Sequence, residues 1–187
     1  AVTVTSGNNV TLNDTGALSI ASAVDTTNFT LTAAGAVDLG PSTVGGALSV
    51  TTTGPITDSG NLSITGTTSL SPAVGNSVTL DSASNDFGGA VGVANGLNVT
   101  LVDANALVLG AISITGALSV SSTGAITDTG NLSIGTTTSL SAGAANDITL
   151  NNANNFSGAV TVVSGNNVLL NDTGTLSIAS AAVATNF

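Results

Sequence analysis

The sequence predicts an all-β parallel β-solenoid, and three observations predict it. Near-identical segments recur along the chain, apolar–polar–apolar triplets punctuate it about every eight residues, and the side chains that furnish helix surfaces are absent. Glu, Gln, Lys and Arg, which fill exposed helix positions, do not occur. The bulk is Thr, Ser, Val, Asn and Gly. Val, Ile and Thr favour pleated backbone, and Gly, Asn and Asp mark turns.

The repeats set the organisation. Ala1–Phe29 and Ala159–Phe187 differ at only six of 29 positions, at an offset of 158. Ala47–Leu70 matches Ala117–Leu140 at offset 70, and Phe87–Leu109 matches Phe156–Ile178 at offset 69. An offset of 69 or 70 is therefore one unit, with units at about 17–86, 87–155 and a partial 156–187 in one continuous solenoid over 1–187. One copy is longer: the step from Ile20 to Ala47 exceeds the equivalent step from Leu109 to Ala117 by 19 positions. A solenoid accepts an insertion best when it adds a whole coil, because every later strand then keeps its register. The difference thus predicts coils of roughly 19–25 residues, about three coils per unit and about eight in the chain.

Within a coil the triplets are the strands. Val2-Thr3-Val4, Val10-Thr11-Leu12, Leu18-Ser19-Ile20, Leu48-Ser49-Val50, Leu62-Ser63-Ile64, Val78-Thr79-Leu80 and Ile148-Thr149-Leu150 each place two apolar side chains on one side and a hydroxyl on the other. Turn residues such as Ser6-Gly7-Asn8-Asn9 and Asn13-Asp14-Thr15-Gly16 separate them. The spacing predicts about three short strands per coil. It fits an antiparallel sandwich as well; near-identical units favour stacking like on like. One coil alone leaves its apolar edges open, so stability comes from stacking several. Eight coils at the interstrand spacing make a rod on the order of 40 Å long.

Composition excludes several functions. The chain has no Lys, Arg, His or Cys, and its net charge of −10 comes from ten Asp. Nucleic-acid phosphates and anionic membrane surfaces need cations, so neither is expected as a partner. No apolar run approaches the roughly 20 residues of a membrane helix. A mean hydropathy of +0.51 argues against disorder. Trypsin has no site. No secretory leader is visible at Ala1, and the chain opens and closes in mid-repeat, as expected of an excerpt from a longer protein.

The run Asn146-Asp147-Ile148-Thr149-Leu150-Asn151-Asn152-Ala153-Asn154-Asn155-Phe156-Ser157-Gly158-Ala159-Val160 resembles the shaft repeats of large filamentous-haemagglutinin-like adhesins, bacterial exoproteins of the two-partner secretion type. Ser164-Gly165-Asn166-Asn167-Val168 and Thr127-Asp128-Thr129-Gly130-Asn131-Leu132-Ser133-Ile134 carry the same resemblance, which covers the whole chain. It implies a right-handed β-helix, export through an outer-membrane partner, an extracellular or bacterial cell-surface location, and a role in adhesion or biofilm. The amino-terminal secretion domain of that family is absent from these residues.

Any chemistry would begin at Asp. Paired carboxylates serve glycoside hydrolysis, but Asp81, Asp38 and Asp25 are replaced at equivalent positions by Asn151, Val108 and Val183. Asp58 with Asp128, and Asp14 with Asp172, recur in Asp-Thr-Gly or Asp-Ser-Gly phrases, where Asp is expected to bond its own backbone. No cation is present to tune a carboxylate. The expectation is therefore no enzyme, no catalytic, cofactor-binding or metal-ligating residue and no cofactor, with only weak incidental calcium binding. Asn8, Asn9, Asn151, Asn152, Asn154, Asn155, Asn166 and Asn167 are expected at left-handed turns and in stacked amide ladders. Asn-x-Ser/Thr triplets at Asn9, Asn13, Asn28, Asn61, Asn98, Asn131, Asn155 and Asn171 fit the glycosylation acceptor pattern, at a frequency that chance supplies in so Asn-rich a chain. Phe29, Phe87, Phe156 and Phe187 are expected to pack in the core or at corners. Thr51-Thr52-Thr53 and Thr136-Thr137-Thr138 are expected as outward rows like those of ice-binding solenoids.

Together these features predict a structural shaft or fibre segment of a large secreted or cell-surface protein. Its partners are the neighbouring coils and, laterally or end to end, other copies. A binding module with an ice- or glycan-binding face is the alternative, and a polysaccharide-active β-helix enzyme a distant third.

Overall fold

Every strand pairing in the chain is parallel. In the computed structural model, which describes all residues from Ala1 to Phe187, 22 strands form one continuous hydrogen-bonded system, and the fold is a β-solenoid. The first face shows the stacking most simply. Leu18, Val37, Ile56, Val78, Val99, Leu118, Thr138, Val160 and Ile178 lie one above another through eight turns. Hydrogen bonds run along the axis, coil to coil: Leu18 N–H donates to Ala36 C=O at 2.8 Å and Val37 N–H to Pro55 C=O at 2.9 Å.

Each coil contributes three short strands, as the triplets predict. One coil consists of Leu18–Asp25, which spans two faces, and Phe29–Ala33; the next of Val37–Leu39, Ser42–Val44 and Leu48–Thr52. Side-chain alternation buries the outer residues of each triplet. In Val37–Leu39 the two apolar residues are buried and Asp38 is half-buried. The inward residues merge into a single core of 39 buried side chains, so no coil has a core of its own. Phe29, Phe87 and Phe156 are its largest members; Phe187, expected in the core or at a corner, is exposed.

Coil length varies. Phe29 stacks under Leu48 at a sequence separation of 19, but Thr68 stacks under Val91 at a separation of 23 and Ile126 under Ile148 at 22. The extra residues lie outside the strands, at 73–77 and 81–85 and at 142–147, where Gly75 and Gly143 adopt φ of +86° and +78°. Between coils the backbones approach closely at glycines with ordinary φ. A Cβ on Gly54 would stand 2.5 Å from Ala36 N, and one on Gly124 2.7 Å from Ala106 N, so neither position admits a side chain without a backbone shift.

The unit and the coil are not commensurate. Val10, Phe29, Leu48, Thr68 and Val91 stack on the third face. Their counterparts one unit on include Leu118 for Leu48, Thr138 for Thr68 and Val160 for Val91, and these lie in the first-face column. One unit is thus three coils plus one further side, and its surface is carried one face around the rod. The longer copy keeps this rule, since Val10 and its counterpart Val99 stand on the third and first faces. The inserted stretch is therefore one whole coil, as expected. Equivalent Asp residues lie not only coils apart but on different faces.

The Thr-rich runs face outward only in part. Thr52 and Thr138 point inward and are 4% and 1% exposed. Thr68 and Thr138 occupy core positions between apolar neighbours, and their buried hydroxyls have no hydrogen-bond partner. A buried unpaired hydroxyl costs on the order of 1–3 kcal/mol. Thr68→Val and Thr138→Val, which keep the shape, are expected to stabilise the rod by about 1 kcal/mol each, read as a higher midpoint in urea unfolding.

Candidate functional site

The Asp residues are the only ionisable side chains, and the stacking disperses them. No three acidic side chains come together in a group that could hold a metal ion, and no pocket indents the surface. What the carboxylates do instead is accept hydrogen bonds, mostly from other coils.

Asp14 and Asp25 behave as turn residues: Asp14 accepts from Gly16 N–H at 2.9 Å and Asp25 from Thr27 N–H at 2.9 Å. Asp25 also reaches one coil down, to Val10 N–H at 2.9 Å. Asp58 and Asp128, expected to do the same, do not. Asp58 accepts from Asp81 N–H at 3.0 Å, Ser82 N–H at 3.2 Å and Asn85 Nδ2 at 2.7 Å. Asp128 accepts from Asn151 N–H at 3.0 Å, Asn152 N–H at 3.3 Å and Asn154 Nδ2 at 2.7 Å. The reason is the longer coil above each. Its extra residues leave N–H groups without a ladder partner, and buried polar groups must be paired, so the carboxylate below supplies the acceptor.

Asn85 and Asn154 complete this brace. Both are fully buried, and their Oδ1 atoms accept from Leu62 N–H at 2.8 Å and Leu132 N–H at 2.9 Å. Each therefore grips the coil below twice, by a carboxylate and by a backbone N–H. Asn154 is not the exposed turn residue that composition suggests. The one sequence signal for the brace is the recurring pair, Asp58 with Asn85 and Asp128 with Asn154, 27 and 26 residues apart.

The remaining asparagines divide. Only Asn9 and Asn95 adopt left-handed backbone. Amide ladders occur at both ends of the stack: Asn28 Nδ2 donates to Asn9 Oδ1 at 2.9 Å and Asn186 Nδ2 to Asn167 Oδ1 at 2.7 Å. Exposed Asp147 lies beside one ladder. Hydrogen bonds from the Asn167 side chain, then from Asn167 N–H and the Asn166 amide, hold its carboxyl below the ordinary range.

Asp103 is the strained carboxylate. It is 1% exposed; Oδ1 accepts from Phe87 N–H at 3.1 Å, while the buried Oδ2 has no partner. Asp172, its counterpart, has the same bond to Phe156 N–H at 3.0 Å and the same unpartnered oxygen. Burial pushes the Asp103 carboxyl up to about 6, with a smaller push from the Asp86 charge, against the lowering effect of its backbone hydrogen bonds.

The remaining acidic side chains serve the surface. Asp38 accepts from Ser59 Oγ at 2.9 Å and Asp86 from Asn105 Nδ2 at 2.8 Å, each bridging to the coil above.

Two outcomes are expected. Asn85→Ala strands Leu62 N–H and costs about 1–3 kcal/mol of stability for the unpaired group alone, measured by urea unfolding. For Asp103 the folded state binds the proton more tightly than the unfolded chain, so its contribution falls as pH rises from about 4 to about 6 and is lowest above that. Thermal melts of the wild type against Asp103→Asn over this window are expected to show the wild type losing ground as pH rises.

The model of a family described as repeats of unknown function (DUF5649) matches the chain twice in succession, over residues 26–94 and 96–163. No curated protein matches the chain. No solved structure matches it either.

Proposed function

From a chain that belongs to the DUF5649 repeat family, we propose a mechanical role: a stiff, non-catalytic spacer within a large secreted or cell-surface protein. The observation that carries this is the unbroken axial hydrogen bonding over one shared core, from Leu18 to Ile178 on the first face alone. A rod with no seam between coils has no hinge at which to bend, and its length is set by coil number alone. Asp58 and Asp128 add to the axial bonding by bracing backbone N–H groups of the coil above.

The resemblance to filamentous-haemagglutinin-like shaft repeats extends the proposal to a bacterial adhesin exported by two-partner secretion, in which the rod holds a binding tip away from the cell or contributes to a biofilm fibre. The absence of Lys and Arg, which leaves trypsin no site, suits an exposed extracellular segment.

A spacer is indifferent to which coil is present and sensitive to how many. Deleting residues 30–48, one whole coil by the Phe29–Leu48 register, is expected to leave a folded, cooperatively melting rod shorter by about 4.8 Å. Deleting only the first half of that stretch, which breaks the register, is expected to lose the cooperative melt. In the native protein, electron microscopy of the cell surface tests the role: thin rods whose length tracks coil number support it. A deletion of any one coil that abolishes attachment without shortening the rod sinks it.

A further inference from the structure

The third face carries a flat array of small neutral side chains. Thr30, Ser49 and Ser69 stack in register, as do Thr32, Thr51 and Ser71, with Thr11 and Asn13 one coil below. All are exposed or half-exposed. The first face repeats the array one unit on, with Thr100, Ser119, Ser139 and Thr161 in one column and Ser121 and Ser141 beside them. Hydroxyls that bond within the chain, such as those of Thr26, Thr123 and Thr173, bridge adjacent coils outside these arrays. The hydroxyls of the flats are turned to solvent.

We propose that these two flats are docking surfaces for further copies of the same rod, giving lateral bundles. The charge distribution supports this occupant. Ten Asp and no cationic side chain make every acidic face of one copy repel every acidic face of another, and the flats carry no Asp. Spacing supports it as well. Another copy has the same interstrand repeat of about 4.8 Å, so rung meets rung along the whole contact, and short Ser and Thr side chains interdigitate as in a steric zipper. A planar solid such as ice or a crystalline polysaccharide would need the array to stay on one side. It moves one face around the rod with each unit, which suits neighbours placed around the rod.

Each flat covers about 17 by 19 Å, roughly 300 Å², well under the roughly 800 Å² per partner of a stable pair. A single contact is therefore weak, and bundling comes from many contacts along long rods. Repulsion between the acidic faces opposes it until salt shortens the Debye length from about 10 Å at 0.1 M to about 3 Å at 1 M.

Lateral docking rests on the rod reading, and scattering from the 187-residue chain separates the two by reporting cross-section and mass together. In about 1 M salt at high protein concentration the weight-average mass is expected to rise at least about twofold over the monomer, and to fall back at about 0.1 M. Thr51→Asp with Ser121→Asp, one charge per flat, is expected to abolish the rise, while Thr43→Asp, exposed on the second face, leaves it intact. If the acidic pair impairs folding, Thr51→Gln with Ser121→Gln blocks interdigitation without charge and must abolish it too. A wild type that stays monomeric in high salt overturns the proposal. So does association that both flat-directed pairs leave unchanged, or ice shaping by a strictly monomeric chain that Thr51→Asp removes. A compact cross-section without the rod profile overturns the spacer as well.

Discussion

The parallel register between successive coils is the constraint on which the rest depends. Backbone N–H and C=O groups must be paired when buried, and a strand of a single triplet has no partner within its own coil. Every strand therefore borrows its hydrogen bonds from the coils above and below. Once Leu18 sits under Val37, the inward and outward sets of the whole coil follow, because a slip of one residue would turn the core face to solvent. Stability is accordingly collective, as in other one-dimensional repeat stacks.

The braces show how this constraint is met where the chain departs from its shortest coil. The shortest coil satisfies itself by stacking. The two longer coils, which close at Val91 and at Ile148, carry N–H groups that overhang the ladder. At both, an Asp from below and a buried Asn take them in. The same economy fails at Asp103 and Asp172, where one carboxylate oxygen is buried without a partner, and at Thr68 and Thr138, where a hydroxyl is. These four positions lie in two pairs one unit apart, so duplication has copied the unfavourable contacts with the favourable ones.

Strand positions, the inward and outward residues of the apolar triplets, the three strands per coil and the insertion of one whole coil were legible in the sequence, because two-residue alternation and repeat offsets express them directly. The advance of one face per unit was not. It depends on where each coil closes, and closure is hidden by the extra residues around Gly75 and Gly143, which look like any other turn. The Asn85 and Asn154 braces were obscured for a different reason. In a chain so rich in Asn, a buried amide differs from a turn amide only by its partner, and the partner Asp lies more than a coil away in sequence. Thr52 was misassigned because a run of three Thr conceals that alternate members face opposite ways, and Thr138 because the run conceals where the exposed turn at Thr136 and Thr137 ends and the strand begins.

The incommensurate unit bears on how such a chain can change length. Near-identical stretches of DNA recombine, and gain or loss of one repeat unit preserves every strand pairing. The rod would grow or shrink by three coils and one side, however, so whatever lies distal to the junction would swing to a new azimuth. Loss of the single inserted coil would shorten the rod and leave that azimuth as it was. Length and orientation are thus inherited as separate steps: one kind of genetic event turns the tip, and the other only moves it nearer.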